Sequence, residues 1–398
     1  MTRTLSTKIR NVEESQTLAI GAKAKRMKDA GIDVAILTTG EPDFPTPRHI
    51  KEAAIKAIEA NFTKYTANAG TPELLDAIIK KFSNDNDLHF ERDHIVVSCG
   101  AKHSIYNVLQ AICNKGDEVV FFAPYWVSYP EMVKMADATP VIVKTTAEEQ
   151  FKPNVQKLQR AINARTKALI INSPSNPSGV VCTRSELEEI ADIVRRTRIF
   201  VISDEIYEKV MYDGKKHFSI GSTKEIRDQV ITINGVSKAF AMTGWRIGYA
   251  GGPLDVMQAA AKVQSQVTSN PNSIAQKATC AALNGSSNDI HTMVEAFTER
   301  RDFVFAKLSE MRGVRAMNPG GAFYFLFDVS SFYGKRFRDQ LVTNSATMGT
   351  YLLDTHRVAT IPGIAFGDDD CLRLSYACSM SELEKGLARI KEGLEALS

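Results

Sequence analysis

Two hydrophobic periods alternate along this chain. Short apolar runs rich in β-branched residues mark buried strands, and apolar residues at i, i+3, i+4 and i+7 mark amphipathic helices. Strand-type runs fall at Ile95–Val97, the start of Glu118–Glu131, Leu169–Ile171, Phe200 up to Asp204-Glu205, and Val230–Gly235. Helical stripes lie between them. Ile50, Ala54, Ala57 and Ile58 form one, and Leu74, Leu75, Ile78, Ile79 and Phe82 a second. Ile105, Val108, Leu109 and Ile112 form a third, and Leu187, Ile190, Ala191 and Val194 a fourth. Thr46-Pro47 and Thr71-Pro72 read as an N-cap followed by a first-turn proline. Thr183 with Glu186 reads as a capping box. Strand and helix in turn predict an α/β fold with a mostly parallel central sheet flanked by helices.

The rhythm changes towards the C-terminus. Helical runs between about Leu254 and Leu283 lead to a long helix over Ser287–Arg312. Gly313–Val329 reads as strand, Gly-Gly turn, strand, and VATIPGIAFG and CLRLSYACS as two more strands around Arg373. Ser379 and Glu382 are expected to cap a last helix carrying Leu383, Leu387, Ile390, Leu394 and Leu397 inward. This mixture predicts a smaller α+β domain. The expected division is residues 1–45 as an N-terminal arm and part of the small domain, 46–285 as the large domain and 286–398 as the C-terminal small domain.

Composition narrows the function classes. The 398 residues suffice for two domains, and a formal net charge of +3 is too small to argue for nucleic acid or membrane. No apolar run approaches the length of about 18 residues that a membrane span needs. MTRTLSTKIRN has basic residues but no apolar core, so a secretory signal is not expected. The six cysteines are scattered without CxxC spacing, which predicts free thiols and a cytoplasmic setting. The histidines show no metal-ligand spacing, and neither GxGxxG nor a Walker A pattern occurs, so no metal, dinucleotide or P-loop chemistry is expected.

Candidate chemistry concentrates around SKAFAMTGWRIGYAGG, Ser237–Gly252. Lys238 follows a buried strand in a segment short of charge, where a lysine is costly unless paired or used. Arg246 sits between glycines that let backbone approach a ligand. Strand, Gly100 and helix start form a ready anion site. Asp204 ends a strand, where ligands bind in open α/β sheets. Gly40 lies in the loop TTGEPDFPTP, Trp126 in an aromatic loop, and Asn176 in NSPSNPSGVV. Each has a bland alternative: a snorkelling lysine, an ordinary turn, a core or dimer-contact indole, an Asx-turn asparagine.

The combination changes that balance. SKAFAMTGWRIGYA, together with APYWVSYPEM, NSPSNPSG and SDEIYE, resembles the class I aminotransferases that use pyridoxal 5′-phosphate (PLP), in particular their bacterial-type aspartate aminotransferase branch. The resemblance runs from about Val34 to the end; Ser237 stands where some relatives carry alanine. It implies the fold type I of PLP-dependent transferases, PLP as cofactor, amino-acid and 2-oxo-acid substrates, and a homodimer with shared sites. Lys238 would form the Schiff base with PLP and move the proton. Asp204 would face the pyridine nitrogen, Asn176 and Tyr207 the ring oxygen, and Trp126 the ring. Gly100, Ala101, Lys102, Ser237, Arg246 and the partner subunit's Tyr65 would hold the phosphate. Gly40, Trp126, Asn176 and Arg373 would meet the substrate, with Arg373 gripping the α-carboxylate. Lys102 would reach a second carboxylate, and Ser15 and Thr17 would close over that end. Glu13 stands where some prephenate-using relatives carry lysine. Other transaminases (aromatic, alanine or prephenate), a PLP β-lyase and a non-catalytic PLP-sensing module remain the alternative readings.

Overall fold

A computed structural model of the protein describes residues 5–14 and 16–398, with only the backbone described at 16–18. The closing role expected of Ser15 and Thr17 therefore lies outside the described residues. A seven-stranded sheet forms the centre, in the order Ile95–Ser98, Gly248–Gly251, Val230–Gly235, Phe200–Asp204, Thr166–Asn172, Glu118–Ala123 and Thr139–Lys144. Gly248–Gly251 runs antiparallel to both its neighbours, and the other pairings are parallel.

Both faces of this sheet are covered, which explains the unbroken apolar runs. Val119, Phe121 and Ile170 pack with Ile105, Val108 and Leu109 of the helix Ala101–Ile112 and with Met257 of the helix Leu254–Val267. On the opposite face Val120, Leu169 and Ile171 meet Leu187, Ile190 and Val194 of the helix Arg184–Thr197. Alternate strand residues thus point to opposite layers. The expected capping box is present, with Glu186 N–H donating to Thr183 Oγ1 and Thr183 N–H to Glu186.

A second, four-stranded antiparallel sheet takes the order Ile361–Pro362, Cys371–Ser375, Tyr324–Asp328, Arg315–Ala316. The helices Asn288–Ser309, Ser345–His356 and Met380–Glu395 share a core with it, through Phe297, Val304, Leu352, Leu383 and Leu387. The early strand Ala35–Ile36 pairs in parallel with Val358–Ala359.

Several local expectations need correction. Thr46 does not cap the first stripe's helix, which starts at Arg48 with Pro47 at the N-cap. Its hydroxyl donates instead to Ala241 C=O at 2.7 Å and accepts from Trp245 Nε1 at 3.0 Å. Ile58 is 53% exposed rather than inward. Ser379 does cap the last helix, but Glu382 accepts a bond from Ile36 N–H at 2.9 Å and so ties that helix to the N-terminal strand. Thr139–Lys144 and Gly248–Gly251 form strands that the pattern did not mark, and the aromatic loop turns into a helix at Ser128.

Under the end of Phe200–Asp204 lies a buried charged network. Glu205 accepts bonds from Ser203 Oγ at 2.8 Å, Ser219 Oγ at 2.7 Å and Asn86 Nδ2 at 2.9 Å, and pairs with His217 Nε2 at 2.8 Å. Glu208 pairs with Lys81 and accepts from Asn86 Nδ2 at 2.7 Å. Desolvation opposes ionisation of Glu208, yet Lys81 and His217 hold it down to about 2. Desolvation likewise opposes a charged His217, but Glu205 beside it wins and raises its pKa above the usual 6.5.

That sign fixes a prediction. A histidine with a raised folded pKa stabilises fully below its unfolded value and loses the contribution as pH rises through the folded one. The melting-temperature gap between wild type and His217→Gln should be widest below pH 6.5 and close at alkaline pH. Its maximum should correspond to roughly 1–3 kcal/mol. A gap independent of pH would contradict a charged His217.

Candidate active site

Five strands of the large sheet deliver residues to one cavity of about 530 Å³ at their carboxyl ends. Phe200–Asp204 ends in the acid itself. Val230–Gly235 leads to Ser237 and Lys238, Thr166–Asn172 to Asn176, Glu118–Ala123 to Trp126, and Ile95–Ser98 to Ala101 and Lys102. The convergence follows the rule that open α/β sheets bind ligands beyond the carboxyl ends of their strands.

Lys238 lies in the cavity wall and donates from Nζ to Gly40 C=O at 2.6 Å. Desolvation brings its pKa down to about 8; Glu41 resists the shift, and the cations Arg246 and Arg373 add to it. The loop carrying the lysine is tied across to the Gly40–Thr46 segment. Thr243 Oγ1 donates to Glu41 at 2.7 Å, and Thr46 bridges Ala241 and Trp245.

Arg246 has a left-handed backbone, φ 56°, and its guanidinium donates to Thr243 C=O and Cys99 C=O at 2.9 and 3.2 Å. Two glycines make this approach possible. A Cβ on Gly100 would overlap the Arg246 guanidinium, and one on Gly248 would overlap the backbone of Ala101. The helix Ala101–Ile112 starts without a side-chain cap, so its first N–H groups face the same corner as Arg246. Lys102 Nζ lies 4.9 Å from the Trp126 ring centroid. Desolvation and the neighbouring Arg246 lower its pKa.

Asp204 is buried, and its Oδ2 accepts from Tyr129 Oη at 2.7 Å. Desolvation pushes its pKa up to about 6, against the pull of that bond. Tyr207 and Tyr324 share a hydroxyl contact at 2.9 Å. Arg373 comes from the smaller sheet. It donates to Asn176 Oδ1 at 3.1 Å and Thr38 C=O at 2.9 Å, and lies 4.5 Å from the Tyr324 ring centroid. Its Nε is buried without a protein acceptor.

Gly40, Ala101, Lys102, Trp126, Asn176 and Asp204 line the cavity, as do Tyr207, Ser237, Lys238, Arg246 and Arg373. Gly100 stands just behind, at the N-cap. Tyr65, expected to act in the partner subunit's site, is 91% exposed and lines no part of this chain's own cavity. Sequence reading missed Tyr129, Tyr324, Asn172, Glu41 and Thr243. Nothing in the sequence around Tyr129 sets it apart from a core tyrosine; only the fold brings it to Asp204.

The residues fit PLP. The Gly100/Gly248 cradle leaves an uncapped helix start and an exposed arginine for a phosphate. A desolvated amine faces the cavity for an aldehyde, and a buried acid for a ring nitrogen. The indole offers a flat wall to the ring itself.

Comparison with known proteins gives consistent matches over nearly the whole chain. The profile of the family "Aminotransferase class I and II" matches residues 32–390. An aspartate aminotransferase of Bacillus sp. (strain YM-2) is 46% identical over 98% of this chain and 99% of its own. A bifunctional aspartate aminotransferase and glutamate/aspartate-prephenate aminotransferase of Petunia hybrida is 47% identical over 98% of this chain and 82% of its own. The crystal structure of the aspartate aminotransferase from Rhizobium meliloti superposes with a TM-score of 0.97, at 40% identity, over the full length of both chains.

The electrostatics of Lys238 can be measured directly. In the protein stripped of PLP, its amine should react with an acylating reagent with an apparent pKa of about 8. Glu41→Gln removes the anion that favours the ammonium, so the value should fall further. A value near the ordinary 10.5 in both proteins would contradict a desolvated amine.

Proposed function

The chain belongs to the class I and II aminotransferases, and on that premise we propose that it is an aspartate aminotransferase using PLP. It would move the amino group of L-aspartate to 2-oxoglutarate, giving oxaloacetate and L-glutamate. The observation that carries this reading is the meeting of two cations in one cavity, Arg373 from the smaller sheet and Lys102 from the start of the helix Ala101–Ile112. Arg373 brings a buried planar fork with an unused Nε, and Lys102 a second positive charge over Trp126. A fork suits bidentate capture of an α-carboxylate. A second cation suits a substrate with a second carboxylate.

When bound, PLP supplies a ring that takes up the electron pair released as the Cα–H bond of the amino acid breaks. The chain's own residues do the rest. Lys238, with its pKa pulled to about 8, has an appreciable neutral fraction near neutral pH. Its Nζ accepts the Cα proton and later gives a proton back. Asp204 would hold the ring nitrogen protonated, and Tyr207 and Asn176 would donate to the ring oxygen. Ser237, Arg246 and the first N–H groups after Gly100 would hold the phosphate. Gly40, whose C=O receives Lys238, would lie beside the substrate.

The homodimer is part of the same proposal. Tyr65 stands in solvent, as do Ile55 and Val267 at 52% and 57% exposure. The partner subunit's Tyr65 would complete the phosphate site. We divide the chain into a large domain, 46–285, and a small one built from 1–45 and 286–398; the pairing of Ala35–Ile36 with Val358–Ala359 supports joining the two ends. We place the protein in the cytoplasm, which its six unpaired cysteines favour. Among the described residues no helix is long and apolar enough to cross a membrane. The prephenate activity named for the petunia relative is not extended to this chain, because Glu13 stands at the position of the expected lysine.

Aspartate should be a better donor to 2-oxoglutarate than alanine or phenylalanine. Lys102→Ser should cost aspartate about 1.5–3 kcal/mol in kcat/KM and spare the apolar donors. Equal losses for all donors would confine Lys102 to the phosphate. A wild-type preference for an apolar donor would contradict the dicarboxylate reading.

A further inference from the structure

We propose that Tyr129 is a positioning residue for this reaction: its phenol orients the Asp204 carboxylate and keeps it an anion, and so sets how firmly PLP is held through its ring nitrogen. The inference rests on the assignment of Asp204 to that nitrogen.

The geometry is specific. Tyr129 and Asp204 are 2% and 4% exposed, and the phenol donates to Oδ2 at 2.7 Å. The other carboxylate oxygen accepts only a long 3.3 Å bond from Ile206 N–H. Among the described residues, Tyr129 is therefore the one side chain that donates to this acid. Its ring cannot swing away. Trp126 packs edge-on against it at 5.4 Å and 85°, and Phe121 lies 6.1 Å away. The helix Ser128–Met135 starts at the neighbouring residue and fixes its backbone.

The electrostatics point the same way. The groups acting on Asp204 are Tyr129, Glu205 of its own turn, Lys238 of the lysine loop, and the phenol of Tyr207. Desolvation and Glu205 favour the protonated acid; Tyr129, the Ile206 N–H and Lys238 favour the anion. Burial keeps the Tyr129 phenol protonated, its pKa well above 10, so it remains a donor at any working pH. A buried carboxylate that loses its best donor takes up a proton more readily. A neutral acid cannot stabilise a cationic ring nitrogen. Tyr129 does not line the cavity, so its effect reaches substrate only through Asp204.

Tyr129→Phe keeps the ring and deletes the donor. In the PLP-free variant, the Asp204 carboxyl, followed by carbon NMR and assigned with Asp204→Asn, should titrate about one pH unit higher than in wild type. In the holoenzyme, the acid limb of kcat/KM should move the same way. The dissociation constant for PLP should rise roughly twofold near pH 7 and approach a tenfold rise at about pH 5, as a one-unit shift from a pKa of about 6 implies. The KM for aspartate should stay within about twofold, because the phenol meets no substrate. In the Asp204→Asn background, Tyr129→Phe should add no further loss of PLP affinity. Unchanged titration and PLP affinity with only a lower melting temperature would reduce Tyr129 to core packing and overturn the proposal. An additive loss in the Asp204→Asn background would overturn it too. Wild-type PLP affinity and turnover in Asp204→Asn alone would remove the assignment of Asp204, and this inference with it. A crippled Asp204→Asn beside a silent Tyr129→Phe would remove the inference alone.

Discussion

Where the strands Phe200–Asp204 and Val230–Gly235 end, water is withdrawn from an acid and an amine that share one cavity. Loss of hydration disfavours both charges. It brings Asp204 up to about 6 and Lys238 down to about 8. The two groups are thereby moved towards each other in acidity without either being neutralised outright. A lysine at its ordinary value would be almost wholly protonated near neutrality and a poor base. An acid without donors would be protonated and a poor partner for a cation. The site depends on holding each group between these limits.

The rest of the fold keeps those limits in place. Glu205 follows Asp204 directly, and its carboxylate is pinned by Ser203, Ser219, Asn86 and His217. That network fixes the turn from which Tyr207 also projects. The lysine loop is held by Thr46 and by the Thr243–Glu41 bond. Arg373 arrives from the other sheet and meets Asn176 within the cavity, so the two sheets are joined at the site itself. Its guanidinium lines the cavity and spends one bond each from Nη1 and Nη2 on Asn176 and Thr38, which leaves donors for an incoming carboxylate.

Much of this was legible along the chain. The large sheet's strands run through apolar stretches because both its faces are covered, and the helix starts at Thr71 and Thr183 follow local capping chemistry. Lys238 and Arg246 stand in a run whose glycines and missing charges single them out, and Asp204 is marked by its place at the end of a buried strand. What was not legible depends on partners distant in sequence. Tyr129 meets Asp204 across 75 positions, and nothing in its own neighbourhood separates it from a core tyrosine. Thr46 has the form of an N-cap, but Trp245 and Ala241 recruit its hydroxyl. Glu382 has the spacing of a capping box, yet Ile36 offers it a free strand N–H. At Thr46 and Glu382 a local capping preference worth about 1 kcal/mol is outweighed by a tertiary bond. Gly248–Gly251 escaped notice because three of its four residues are glycine or alanine, and only its neighbours make it a strand.

The most direct test of the account is chemical. The PLP-loaded protein is reduced with borohydride and digested, and the pyridoxyl group is located by peptide mass spectrometry. The place of Lys238, after the strand Val230–Gly235 and against Gly40 C=O, predicts a single modified residue, Lys238, with Lys102, held over Trp126, unmodified although it lines the same cavity. Labelling of Lys102 or of another lysine in its place would contradict the account.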